Sequence, residues 1–111
     1  MTIDKFFAKH GIVADRIIYM TKENHASVIH LVDGRTVKTT NIPLKSFYNA
    51  LNPDEFYLIN RAVAVAERYI DHIDGIDYYM RDGSVQQGNV SDMTVHNRRA
   101  RELRDKIWAA G

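Results

Sequence analysis

Three short polar stretches of this 111-residue chain carry side chains suited to phosphate oxygens and base edges. Each combines a cation or an imidazole with an amide: Lys22-Glu23-Asn24-His25, Asn60-Arg61 and His96-Asn97-Arg98-Arg99. Arginine donates two hydrogen bonds to guanine, and asparagine exchanges two with adenine. A helix that begins at Asn97 would add backbone N–H donors for phosphate. Because polar loops are common, the stretches indicate a nucleic-acid site only if the fold brings them to one surface.

The second stretch interrupts an apolar run, FYLINRAVAV at 56–65. If this run were one continuous strand, Arg61 would share a face with four apolar side chains. Burying an unpaired charge costs on the order of several kcal/mol. Two interpretations avoid that cost. Either the chain turns at Asn60-Arg61 and exposes Arg61, or Arg61 is buried against an acid such as Glu67 or Asp54.

Composition removes several classes of function. The chain has no cysteine, a net charge of +1 and a hydrophobic content of 45%. Its five histidines form no metal-binding motif, and no arrangement of a nucleophile, a base and an orienting group is present, so the sequence predicts no catalytic residue, no metal and no cofactor. The apolar runs are too short to span a membrane, and the lack of cysteine suits the cytoplasm. Five Arg or Lys against two acids from His96 onwards indicate an anionic partner.

Short strands and tight turns dominate the pattern. Three Asp-Gly pairs, at Asp33-Gly34, Asp74-Gly75 and Asp82-Gly83, predict hairpin turns. Strand-like runs lie around them, at 16–20, 27–32, 35–40, 57–60, 62–65, 69–73 and 76–80, with a polar stretch, SVQQGN, leading to a weaker run at 93–95. Helical spacing of apolar residues predicts two short helices, at 42–51 and 97–108. These elements predict a single domain over 1–111, mainly β, with two short helices.

The order of these pieces resembles the LytTR DNA-binding domain of bacterial response regulators. KFFAKHGIVADRIIYM is similar to the opening strands of that family, which end in "I-x-Y-I-E", and ENHASVIHLVDGRTVKTTNIPLKSF is similar to the strand, hairpin and short helix that follow. FYLINRAVAVAERYIDHI resembles F-x-R-x-H-R-S-x-x-V-N-x-x-x-I-x-x-I. VHNRRARELRDKI resembles V-S-R-R followed by a final helix. The resemblance covers nearly the whole chain.

The resemblance implies an elongated stack of small antiparallel sheets whose loops enter the major groove of double-stranded DNA. Family contacts come from three places, which fall here on Asn24 and His25, on Asn60 and Arg61, and on Arg98 with His96 and Asn97 beside it. Lys22 and Arg99, with Arg101 and Arg104, are expected to attract phosphates. The resemblance also implies direct-repeat DNA sites, a dimer formed on DNA, and a receiver or sensor domain if the chain is part of a longer protein.

Four positions depart from the family pattern. Asn60 replaces His, Ala62 replaces Ser, Ala66 replaces Asn, and Leu58 stands where Arg is common. Two of these departures, at Leu58 and Asn60, favour one rival, an interaction module of the same fold that has lost DNA binding. A second rival, a small ligand-binding or enzymatic β domain, predicts a deep pocket lined by titratable groups.

Overall fold

The computed structural model describes residues 2–88 and residue 102, and in these residues it contains two helices and eight strands. The helices are α1 (Ile3–His10) and α2 (Leu44–Ala50), and the strands are β1 (Ile17–Glu23), β2 (Ala26–Leu31), β3 (Thr36–Thr39), β4 (Phe56–Asn60), β5 (Val63–Ala66), β6 (Ile70–Asp74), β7 (Asp77–Met80) and β8 (Val85–Gln87). Short 3₁₀ turns lie at Ala14–Arg16 and Glu67–Tyr69.

Helix α1 was not predicted, since the resemblance placed opening strands in this region. The Thr2 hydroxyl caps the helix by accepting a hydrogen bond from the Lys5 N–H at 3.2 Å. Gly11 ends it with a φ of 63°, a left-handed conformation that glycine adopts without strain. Phe6 and Phe7 both pack against Phe47 of α2, with ring centroids 5.4 and 5.9 Å apart. The cap, the final glycine and the apolar spacing are helix signals that the strand interpretation overlooked.

Helix α2 confirms the first of the two predicted helices, with its first residue directly after Pro43. It buries Leu44 and Phe47, and Phe47 has no exposed surface. The second predicted helix, at 97–108, lies outside the described residues apart from Glu102, as does the weaker run at 93–95. Neither described helix has the length and apolar character that crossing a bilayer requires.

The larger sheet has five antiparallel strands in the order β3-β2-β1-β5-β4. Strand β1 is central, and its first four residues, 17–20, are all buried because both faces of the sheet are covered. A β-bulge between Ile17 and Tyr19 directs the consecutive side chains Ile18 and Tyr19 to the same core, whereas Ile17 and Met20 pack into the other.

The smaller sheet has three antiparallel strands in the order β6-β7-β8. All three Asp-Gly pairs lie in hairpin turns, as predicted, with φ of 88° at Gly34, 61° at Gly75 and 90° at Gly83. Strand β8 lies inside the polar stretch SVQQGN, which showed little strand pattern. It pairs with β7 over Asp77↔Gln87 to Tyr79↔Val85.

Two hydrophobic cores give three layers. The helix-side core joins α1 and α2 to one face of the larger sheet and includes Phe6, Ile17, Met20, Phe47 and Phe56. The inter-sheet core joins the opposite face to the smaller sheet and includes Ile18, Tyr19, Ile59, Val65, Ile73 and Tyr78. With principal extents of 38 × 27 × 21 Å, this mainly β stack confirms the predicted fold class.

Candidate nucleic-acid interface

The tips of two hairpins lie side by side at one end of the larger sheet. The first tip joins β1 to β2 through Asn24 and His25, and the second joins β4 to β5 through Arg61 and Ala62. Because β1 pairs with β5, the backbone N–H of Lys22 donates a 2.7 Å hydrogen bond to the carbonyl of Ala62. The fold therefore brings the first two polar stretches of the sequence together.

The first tip is a tight connection with both of its residues exposed. Glu23 pairs with Ala26, so only Asn24 and His25 connect the strands. Asn24 has a φ of 56°, and it is the one described non-glycine residue with a positive φ. Asparagine tolerates this left-handed conformation better than most residues do. The turn therefore holds two polar side chains beyond the end of the sheet.

The second tip is organised by the amide of Asn60. Its Oδ1 accepts a 2.6 Å hydrogen bond from the N–H of Ala62, which closes the turn. Its Nδ2 donates a 2.5 Å hydrogen bond to the carbonyl of Gln87 at the end of β8. A β-bulge between Leu58 and Asn60 leaves Ile59 unpaired and places Asn60 on the side of the smaller sheet.

Arg61 occupies the corner of this turn and is exposed. The run FYLINRAVAV is thus two strands separated by a turn, as the first interpretation predicted. The alternative interpretation, in which Arg61 is buried against Glu67 or Asp54, is wrong. Apolar residues on both sides of the turn enter the cores, whereas the charge stays at the surface.

Lys22 and Glu23 flank the first tip, and both are exposed. Further along the same strands, the Tyr19 and His30 rings stack at a centroid distance of 4.0 Å. Burial raises the pKa of the Tyr19 hydroxyl and lowers the pKa of the His30 imidazole. The stem of the hairpin is therefore packed, and its polar groups are concentrated at the tip.

The third polar stretch, His96-Asn97-Arg98-Arg99, lies outside the described residues, and so do Arg101 and Arg104. The described chain before it ends at Gly88, whose N–H donates a 2.7 Å hydrogen bond to the Ile76 carbonyl. A side chain at position 88 would lie 3.5 Å from the carbonyl of Ile59. Gly88 therefore lies beside the strand that leads into the Arg61 turn.

A separate groove of about 210 Å³ lies between α1 on one side and the end of β3 with the segment that follows it on the other. Its lining residues are Phe6, Lys9, His10, Lys38, Thr39, Asn41 and Ile42. Within residues 2–88 and Glu102, no three metal-ligating side chains converge. Three of the lining side chains, Lys9, His10 and Lys38, are titratable, and none of the lining side chains is a carboxylate.

Comparison with known proteins gives the family. The family model for the LytTR DNA-binding domain matches residues 9–108. The chain belongs to the LytTR family. Among solved structures, it is similar to the LytTR DNA-binding domain of a methyl-accepting/DNA response regulator from Bacillus cereus, at 17% identity and a TM-score of 0.66, over 80% of this chain and 81% of that one. A search of curated proteins gave no match.

Within this LytTR domain, two contributors to the site were not predicted from the sequence. The carbonyl of Gln87 holds the Asn60 amide, and the backbone of Lys22 holds the Ala62 carbonyl. Both contacts depend on the packing of strands that are distant in sequence, so no local motif predicts them. Leu58, at a common arginine position of the family, packs against the helix-side core.

Proposed function

We propose that this LytTR domain binds double-stranded DNA sequence-specifically, as the output domain of a bacterial transcriptional regulator. The observation that carries the proposal is the 2.7 Å hydrogen bond between the Lys22 N–H and the Ala62 carbonyl. It joins two hairpin tips whose exposed residues, Asn24, His25 and Arg61, suit base edges and phosphates. Membership of a family named for DNA binding supports the same conclusion.

The proposed mechanism uses the hairpin tips as readers of the major groove. That groove is about 12 Å wide and admits a two-stranded ribbon. Asn24 and His25 contact base edges from the first tip, and Arg61 contacts guanine from the second. Lys22 neutralises a phosphate at the edge of the groove. Asn60 belongs to the same interface, and its amide already makes two internal hydrogen bonds.

The third polar stretch completes the proposed interface. Arg98 reads a base or fixes the register, with His96 and Asn97 beside it, and Arg99, Arg101 and Arg104 attract phosphates. The whole chain, 1–111, acts as one DNA-binding domain in this proposal. Recognition by hydrogen bonds and charge requires neither a cofactor nor a metal, and it makes or breaks no covalent bond.

The regulator would act in the cytoplasm, where a bacterial promoter is found. Two copies would bind direct repeats and dimerise on the DNA. In a longer protein, a receiver or sensor domain would control the output, without a membrane segment in this domain. The support for a receiver or sensor domain is that the similar Bacillus cereus domain comes from a response regulator.

An interaction module without DNA binding is the rival that the family departures favour. Leu58 packs in the protein rather than offering a guanidinium, and Asn60 holds its own turn. Both observations reduce the number of groups available for DNA at this hairpin. They leave the exposed Lys22, Asn24, His25 and Arg61 in place, so DNA binding is the better supported function.

Salt dependence of duplex binding separates the two functions. Fluorescence anisotropy would follow a labelled pool of random duplexes at 50 to 200 mM salt. With about four phosphate contacts, from Lys22, Arg99, Arg101 and Arg104, the logarithm of affinity should fall with a slope of about −3.6, or roughly 100-fold over this range. Absence of salt-dependent binding would contradict the proposal and favour the interaction module.

A further inference from the structure

The Asn60 side chain connects parts of the molecule that are distant in sequence. Its Oδ1 bond to the Ala62 N–H lies within one turn, whereas its Nδ2 bond to the Gln87 carbonyl reaches the smaller sheet. Gly88 lies next to it, since a Cβ built on this residue would be 3.5 Å from the Ile59 carbonyl oxygen. The turn that carries Arg61 is therefore attached to the end of β8 as well as to its own hairpin.

We infer that Asn60 is a positioning residue, which acts on DNA through Arg61 rather than by reading a base itself. This inference rests on the proposed function. The amide fixes the backbone on both sides of Arg61, because it holds residue 60 to β8 and residue 62 to the turn. The Lys22 N–H holds the same Ala62 from the other hairpin. Arg61 is thus presented from a turn that is fixed on two sides.

Both polar groups of the Asn60 amide are already engaged within the protein. Its Oδ1 accepts a hydrogen bond from the Ala62 N–H, and its Nδ2 donates one to the Gln87 carbonyl. If Asn60 turned towards DNA to read a base, its amide would lose both of these hydrogen bonds. Positioning therefore fits the geometry better than direct base reading.

The test compares four purified chains: wild type, Asn60→Ser, Arg61→Ala and the double variant. Serine retains an oxygen that can accept from the Ala62 N–H, but its side chain is one bond too short to reach the Gln87 carbonyl. Asn49→Ser, on the exposed surface of α2, is the matched control. Thermal unfolding confirms that each variant is folded, and anisotropy measures binding to the duplex selected by wild type.

If Asn60 acts through Arg61, Asn60→Ser should weaken binding roughly tenfold in the wild-type background and have no effect when Arg61 is already alanine. The salt slope should stay at the wild-type value, because no phosphate contact is removed. Asn60→Ser should also relax base preference only at the base pairs that Arg61→Ala relaxes. Equal losses in both backgrounds, or lost preference at other base pairs, would overturn the inference.

A measurement without DNA separates failure of this inference from failure of the proposed function. In wild type, ¹⁵N relaxation should give the Arg61 amide an order parameter near the rigid value of about 0.85, and Asn60→Ser should lower it towards about 0.6. Unchanged order at Arg61 would overturn the positioning role. Absence of specific DNA binding by wild type would instead refute the proposed function, whatever the relaxation data show.

Discussion

The backbone N–H of Lys22 donates a 2.7 Å hydrogen bond to the carbonyl of Ala62. This bond joins the ends of two hairpins, and each hairpin presents a polar turn beyond the edge of the larger sheet. A single continuous surface therefore contains Asn24 and His25 from one turn and Arg61 from the other. Groups that lie far apart in the sequence become neighbours because β1 pairs with β5.

The positive φ of Asn24 allows its structural role to be separated from its proposed role in binding. Asn24→Ala should lower the free energy of unfolding by about 1 kcal/mol, because alanine is strained at a φ of 56°. Asn24→Gly should retain the wild-type stability, since glycine accepts this conformation. Urea denaturation measures both. If Asn24 contacts a base, both variants should bind the selected duplex more weakly, and full affinity in Asn24→Gly would contradict that role.

Lys22 is expected to contribute charge rather than sequence preference. Lys22→Ala removes the ammonium group and leaves the backbone bond to Ala62 in place. The salt slope of DNA binding should become shallower by about 0.9, while the selected sequence stays the same. Lys45→Ala, which removes an exposed lysine from α2, is the control and should leave the slope unchanged. A Lys22→Ala slope equal to that of wild type would exclude the proposed phosphate contact.

Much of the β architecture followed from local pattern. The Asp-Gly pairs correctly predicted three hairpin turns, because these turns need a residue with a positive φ and glycine adopts one without strain. The cost of a buried charge left two interpretations of Asn60-Arg61 open, and the family resemblance favoured the turn that the structure shows. Helix α1 was missed, although Thr2 and Gly11 provide its two caps. Strand β8 was not predicted, because a three-residue strand with two polar side chains carries little periodicity.

The site could be predicted only as a set of separate stretches. The sequence identified residue types at 22–25 and 60–61, but their proximity depends on long-range pairing between β1 and β5. The hydrogen bond from the Asn60 amide to the Gln87 carbonyl likewise cannot be predicted from the neighbouring sequence, because Gln87 belongs to the other sheet. The residue types suited to DNA could therefore be identified from the sequence, whereas their arrangement on one surface required the fold.

His30 should make the stability of the domain fall as the pH is lowered. Burial lowers the pKa of the folded-state imidazole, although Glu23 and Asp82 oppose the effect. The unfolded state, with a pKa of about 6.5, therefore binds the proton more readily. Below that pH, proton uptake favours unfolding. The stability lost between pH 7.5 and 5.5, measured by urea denaturation, should be smaller in His30→Gln than in wild type.

A control distinguishes titration of His30 from general destabilisation of the sheet. Thr36 pairs with His30 on the neighbouring strand and does not titrate. Thr36→Ala should lower stability by a similar amount at both pH values and keep the wild-type pH dependence. If His30→Gln also keeps that dependence, His30 is not the group responsible.

The central claim, that the two joined hairpin tips read DNA sequence, is tested most directly by parallel in-vitro selection from random duplexes. Wild type, Arg61→Ala and Arg16→Ala would be compared at one moderate salt concentration. Arg16 is exposed and lies directly before β1, at the opposite end of that strand from Lys22, so its substitution matches the charge change away from the site. We predict an enriched repeat motif for wild type and Arg16→Ala. With Arg61→Ala, preference should fall at specific base pairs by roughly 1–3 kcal/mol. No enrichment with wild type, or the same motif in all three proteins, would contradict the claim.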